Sequence, residues 1–353
     1  MKARNFRRIL HFYLWLRECM KGFVKMAKTR FLYEKNTASM GEKDKTFIVS
    51  RGQPVNRIYA PVRRLKYEKR KELRYIKYMS LRFCSLSSGS RGNCYLVWTD
   101  DTTILIDAGI SGKKIFQGLS EVGKSPDEVK GLLLTHEHID HVKSVSMVCK
   151  KSSDALVYAN ESTWEAVKSK RLKDDSLDSR YSPIVTMEEF SIDEVKILPI
   201  KIHHDAVEPV GYSFEYNGRK LSIVTDTGHI CRDIFDEIKN SHLLVLESNH
   251  EENILEVCDY PYEVKKRILS DYGHLSNKAA AQCIGNIIEY KNQVLEESAK
   301  TTVLLAHLSK DNNTPEMAIL ATKSNLEERG LLSMNNIHLD VVRQDTVSKV
   351  YKV

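Results

Sequence analysis

The chain has 353 residues, 42% of them hydrophobic, enough to bury a full core in one large domain with an extension. No stretch approaches 18 consecutive apolar residues, which excludes a helical membrane span, and no repeat or low-complexity tract stands out. The formal charge of +7 hides a division: residues 1–78 hold 22 Lys and Arg against 6 Asp and Glu, a net of +16, and leave −9 to residues 79–353, so the body of the chain is acidic.

Residues 1–78 lack long apolar periodicity and carry basic runs such as Arg63-Arg64 and Lys69-Arg70-Lys71. Three readings stand: a disordered basic arm for a phosphate backbone, sequence upstream of the natural start, or a targeting segment. The last rests on Arg7, Arg8 and the short apolar run Leu10 to Leu16, with no small-residue cleavage site behind it. The expected division is an extension over 1–78 and a hydrolase domain over 79–353. Seven dispersed cysteines without a C-x-x-C read as reduced thiols of a cytoplasmic protein.

From residue 86 onward the elements carry chemistry. The Leu86 to Asn93 loop is rich in Ser and Gly, and its amides suit a phosphate. Thr103–Ile106 reads as a strand ending at Asp107, followed by Ala108 and Gly109, with a helix expected at 112–122. Gly131–Leu134 reads as a buried strand, and behind it His136, Glu137, His138, Asp140 and His141 stand within six residues. At a strand's carboxyl end such ligands sit in a loop and converge, where a helix would scatter them. Helices are expected at 142–151 and 161–171. Val195–Ile202 alternates like a half-buried strand and ends at His203, His204 and Asp205. Lys220–Thr225 ends at Asp226, with His229 ambiguous behind it, and a helix follows at 231–240. Leu243–Leu246 leads through Glu247 to Asn249 and His250. After a helix at 261–270 comes His274, and then Ser276 and Asn277 as caps for a helix at 277–290. Thr302–Ala306 ends at His307, with Lys310 and Asn312 close behind and a last helix at 314–329. His11, His242 and His338 have no such context.

Five strands thus finish in a metal-type side chain. Imidazole and carboxylate together suit zinc, manganese or iron, not calcium or magnesium, and the pattern H-x-H-x-D-H differs from the H-E-x-x-H of helical zinc proteases. Mixed strands and helices favour an α/β sandwich.

In order, Asp107, the His136 to His141 cluster, His204, Asp226 and His307 resemble the five motifs of the metallo-β-lactamase fold superfamily, over roughly residues 80 to 345. The resemblance implies a four-layer αββα sandwich with a dinuclear metal site along one edge of the two sheets. It assigns His136, His138 and His204 to one ion and Asp140, His141 and His307 to the other, with Asp226 bridging. Asp107 would orient ligands without binding metal. Spacing alone does not choose between His203 and His204; the string His204-Asp205-Ala206 resembles the family motif and favours His204.

Within the superfamily, Leu86 to Asn93, Glu247-Ser248-Asn249-His250, Gly273-His274-Leu275-Ser276-Asn277 and Ala306 to Asn313 resemble the YycJ/WalJ type, as does a start near Met79 to Phe83. The resemblance implies a 5′-to-3′ exonuclease on DNA with a site similar to that of ribonuclease Z. Two divalent ions, zinc or manganese with iron also acceptable, would hold a hydroxide and neutralise phosphate charge. Asp140 and His274 are the expected catalytic residues, His274 as general acid or phosphate contact. Ser88, Asn93, Asn249, His250 and Lys310 are the expected substrate contacts. The expected partner is nucleic acid, DNA before RNA, and no membrane. The alternatives are an RNA-directed nuclease of ribonuclease Z type, a thioester or lactone hydrolase, and a metalloprotein that only binds nucleic acid.

Overall fold

Short apolar runs in which alternate residues face opposite ways need cover on both sides, and this chain supplies it by pairing two sheets and coating each with helices. The structure, a computed structural model, describes residues 80–171, 175–294, 300–331 and 337–353; the basic segment 1–78 lies outside the described residues.

The first sheet contains β1 (Arg82–Ser87), β2 (Cys94–Trp98), β3 (Thr103–Ile106), β4 (Val129–Leu133), β5 (Leu156–Ala159) and β6 (Tyr181–Pro183), with β14 (Tyr351–Lys352) outside β1. The second runs β7 (Phe190–Ile192), β8 (Val195–Lys201), β9 (Val210–Tyr216), β10 (Arg219–Val224), β11 (Leu243–Glu247), β12 (Thr301–Ala306) and β13 (Ile337–Val341) in spatial order. Each sheet has three antiparallel pairings followed by three parallel ones, and the change falls at β3 in one and at β10 in the other. The sequence shows no internal repeat, yet the connectivity repeats.

Alternation sorts the core into layers. Ile104 and Ile106 of β3 join Val245 of β11 and Leu304 of β12 between the sheets. Leu105, one residue out of phase, packs on the other face with Ile115 of α1 (Gly112–Glu121) and Val145 and Val148 of α3 (Val145–Lys151). Leu244, Leu246 and Leu305 face Ile284 and Ile287 of α8 (Asn277–Val294) and Leu326 of α9 (Pro315–Glu328). The result is the four-layer αββα order expected from the sequence.

Between α1 and α3, Ile139–Val142 forms a single helical turn, α2, capped by His138. Asp140 and His141 therefore sit on helical backbone, where the sequence suggested a loop. Remaining helices are α4 (Glu161–Arg171), α5 (Arg232–Ile238), α6 (Glu252–Val257) and α7 (Tyr262–Ile268); α6 has no counterpart among the expected elements.

At one edge the parallel strands all deliver their carboxyl ends. Tyr212 donates its hydroxyl to Leu134 O at 2.7 Å and Val210 N–H donates to Thr135 O at 3.0 Å, so the two sheets are tied together beside the His cluster. Asp107, Asp226 and His307 each terminate a strand with φ of 60°, 58° and 53°. Side-chain-bearing residues in this left-handed region are uncommon and concentrate at functional sites.

Candidate metal centre

His136, His138 and His204 meet first. His136 Nε2 lies 3.1 Å from His138 Nδ1, and the His204 ring stands 5.0 and 5.1 Å from the rings of His136 and His138. His204 Nδ1 donates to Gly273 O at 3.2 Å, which turns its Nε2 toward the cluster. His203 is elsewhere, stacked on His229 at 4.2 Å.

Asp140, His141 and His307 form the second group. His141 Nε2 is 3.7 Å from Asp140 Oδ2 and 3.5 Å from Asp226 Oδ2, and His307 Nε2 is 3.4 Å from Asp226 Oδ1. Each group offers one ligand atom per residue within 4.8 Å of the others, as do His136, His141 and Asp226. Asp226 therefore reaches both sides.

Whether metals fit can be judged from the donors alone. Asp226 Oδ2 and His307 Nε2 are buried and have no hydrogen-bond partner among the described residues. Orphaned polar atoms of this kind are costly. A divalent cation satisfies carboxylate and imidazole together, so the residues present fit the group.

Residues 102–291 match the beta-lactamase superfamily domain. Over 258 residues the chain is 37% identical to the protein named exodeoxyribonuclease YycJ of Bacillus anthracis, covering 71% of this chain and 91% of that one. It is 32% identical over 254 residues to exodeoxyribonuclease WalJ of Streptococcus pneumoniae, covering 72% and 91%. The metallo-beta-lactamase fold protein YhfI from Bacillus subtilis aligns with a TM-score of 0.56 at 14% identity, over 78% of this chain and 100% of that one, a likeness of fold. The chain belongs to the metallo-β-lactamase superfamily.

Superfamily membership carries divalent-metal binding, and the electrostatics here suit it. Burial pushes Asp226 upward, but His307, His141, His136 and His204 outweigh it and hold the carboxyl well below its usual range. Burial likewise opposes ionisation of Glu247, yet His274 and His307 bring it down to about 2. Burial disfavours a charged His141, but Asp107 and Asp226 raise it to about 10; His307 rises to about 9 through Asp226 and Glu247. Burial and the neighbouring His141 instead drive His136 well below the ordinary imidazole value.

Asp107 holds the ligand-bearing loop without entering the cluster. Its Oδ1 accepts from Thr135 N–H at 2.9 Å, and its Oδ2 from Thr135 Oγ1 at 2.9 Å and His141 Nδ1 at 2.7 Å. Gly109 is required beside it: a Cβ there would fall 1.6 Å from Asp140 O.

The expected substrate contacts divide. Ser88, Asn93, Asn249 and His250 are each no more than 4% exposed, and only Lys310 is open to solvent. Ser88 Oγ accepts from His307 N–H at 2.9 Å, Asn93 Nδ2 lies 3.0 Å from His141 Nε2, and Asn249 Nδ2 donates to His307 O at 2.9 Å. Ser88 and Asn249 thus hold the backbone of His307, Asn93 meets His141 at the nitrogen that faces the cluster, and Ser88 lines a cavity together with Lys310. His250 is buried, and neither ring nitrogen has a hydrogen-bond partner among the described residues.

Glu247 is the residue that sequence reasoning passed over. Fully buried, it accepts from His274 Nδ1 at 2.8 Å and His307 Nδ1 at 2.7 Å through Oε1, and from Thr227 N–H at 2.8 Å through Oε2. The signal was present: the apolar run Leu243 to Leu246 ends in a carboxylate like the strands before the ligands.

Proposed function

We propose that this protein is a metal-dependent phosphodiesterase, a 5′-to-3′ exodeoxyribonuclease, whose catalytic body spans residues 79–353. The observation that carries the reading is His274, held by Glu247 at 2.8 Å and standing 3.8 Å from Asp226 Oδ1, in a chain similar to two proteins named exodeoxyribonucleases. Pairing of β14 with β1, Lys352 opposite Arg82, supports one domain that includes both strands. The six described cysteines are free thiols, which supports a reducing, cytoplasmic setting.

His136, His138 and His204 would hold one divalent ion, Asp140, His141 and His307 a second, and Asp226 would serve both. Zinc or manganese suits these donors best, and iron is compatible. When bound, such ions activate water at neutral pH and neutralise phosphate charge. The chain's own residues supply the rest. Asp107 and Glu247 fix the rings of His141 and His307 by their Nδ1 atoms, which commits each Nε2 to the cluster. His274 spends Nδ1 on Glu247, leaving Nε2 to contact the phosphate or give a proton to the departing oxygen. Lys310, exposed beyond His307, would meet the phosphate backbone.

The test is zinc- or manganese-loaded protein incubated with end-labelled single- and double-stranded DNA and RNA, with Asp140→Ala as control. Stepwise loss from the 5′ end of DNA, absent in the variant, is the expected result. Cleavage of RNA alone would replace the substrate, and intact nucleic acids with a hydrolysed thioester would replace the reaction class.

A further inference from the structure

Three aromatic rings beside the metal centre belong to none of its ligands. His203 and His229 stack with centroids 4.2 Å apart and planes at 23°, and Tyr272 meets His203 edge-on at 6.3 Å and 69°. Tyr272 is 60% exposed, and the two imidazoles are half-buried beneath the surface it forms. Neither His203 nor His229 joins any group of three ligand-type side chains among the described residues, so the pair is not a further metal site.

We propose that Tyr272, with the His203–His229 stack, is a shelf on which a base of the nucleic-acid strand lies while its phosphodiester is at the metal centre. This rests on the phosphodiesterase reading above. Position is the first argument. His203 adjoins His204, Tyr272 lies two residues before His274, and His229 lies three after Asp226, so each ring is fastened to a site residue by a few bonds.

Rigidity is the second. Gly228 N–H donates to His203 O at 2.9 Å, Thr227 Oγ1 donates to His229 O at 3.0 Å, and His229 Nδ1 donates to Asp271 O at 3.1 Å. A Cβ at Gly228 would stand 2.3 Å from the backbone of Asp271, so the loop after β10 and the loop before His274 touch main chain to main chain. Gly273 O in turn accepts from His204 Nδ1. The backbone that carries the three rings is thus tied to the backbone that carries the candidate ligands.

Chemistry is the third argument. An enzyme that removes nucleotides one after another must hold every base in turn, and a π-face does so without reading hydrogen-bond edges. Exposed aromatic surface at a fixed offset from the reacting phosphate meets that need.

Oligodeoxynucleotides carrying one 2-aminopurine and a cleavage-resistant 5′ linkage, bound to metal-loaded full-length protein, test stacking by fluorescence quenching. Quenching is expected at one position near the 5′ end, lost in Tyr272→Ala and regained in Tyr272→Trp. In the active protein Tyr272→Ala should raise KM for single-stranded DNA roughly tenfold, with a smaller change in kcat and full metal content. DNA cleaved with unchanged KM in Tyr272→Ala, and no quenching at any position, would overturn the shelf and leave the nuclease reading standing. Quenching without cleavage by the wild type would keep the shelf and overturn the nuclease reading. Should Tyr272→Ala lose metal, Tyr272→Leu, which keeps bulk without a π-face, takes its place: quenching lost with metal retained supports the shelf, and quenching unchanged overturns it.

Discussion

The two sheets repeat one plan and use it for opposite ends. In each, the strand where pairing turns from antiparallel to parallel ends in an aspartate with left-handed backbone, Asp107 after β3 and Asp226 after β10. Asp107 is closed into the protein, with both oxygens taken by Thr135 and His141. Asp226 has an oxygen without a partner among the described residues and imidazoles on two sides. The neighbouring strand decides the difference. Beyond β4 stands Thr135, which donates back to Asp107; at the end of β11 stands Glu247, which itself accepts from the amide after Asp226 and from two histidines. In the second half the orienting carboxylate has moved one strand along, and Asp226 keeps an oxygen without a partner among the described residues.

The sharpest way to break this comparison is to remove each aspartate. Asp226→Ala should lose metal at both positions and reduce turnover by on the order of a thousandfold or more. Asp107→Ala leaves the Thr135 amide and the His141 ring without their buried acceptor and should cost about 3–5 kcal/mol of stability. Metal content and melting of the metal-free proteins separate the two. If Asp226→Ala melted as low as Asp107→Ala while keeping its metals, the division of labour would be wrong.

Next in size is His274→Ala, which should keep both metals and lose about 10²–10⁴ in kcat. Unchanged turnover would leave His274 as the start of α8 and nothing more. Glu247→Gln sharpens the claim that the orienting role has moved. It keeps the shape but removes the charge facing His274 and His307, and should weaken metal binding by about 10- to 100-fold. Equal metal affinity in Glu247→Gln and wild type would put Asp226 back as the sole organiser of that side.

Much of this was legible in the sequence because each ligand follows directly on an apolar strand, and strand ends aim where the sheet aims. His136 to His141, Asp226 and His307 could be singled out as candidate ligands from that pattern alone. What was hidden depends on contacts far apart in the chain. The partners of Glu247 lie 27 and 60 residues away, and the choice of His204 over His203 for the cluster is made by Gly273 O, 69 residues on. Ser88 and Asn93 read as a loop whose amides suit a phosphate, and Asn249 as a site-facing residue, because composition does not show the buried contacts they make to His307 and His141. The shared plan of the sheets was invisible because connectivity repeats where sequence does not.

The smallest effect is a pH dependence that differs between the two ligand groups. In the metal-free protein His141, raised to about 10, and His307, raised to about 9, hold protons at neutral pH, whereas burial keeps His136 and His204 below the ordinary imidazole value and therefore neutral. A cation at Nε2 of His141 or His307 must displace a proton; one at His136 and His204 displaces none. Affinity at the Asp140–His141–His307 group should accordingly rise with pH up to about 9–10, while His136 and His204 already offer neutral nitrogens at neutral pH. The sign for stability is the reverse. Raised folded values stabilise the metal-free protein fully below the unfolded imidazole value of about 6.5, and that contribution fades as pH climbs through 9 to 10. Titration calorimetry in buffers of different ionisation enthalpy, with metal content measured as pH falls, reads both: proton release on filling one group only, and loss of that group's ion first. Loss of both ions together without proton uptake would mean that Asp226 binds them as a single unit and that the two halves are not electrostatically distinct.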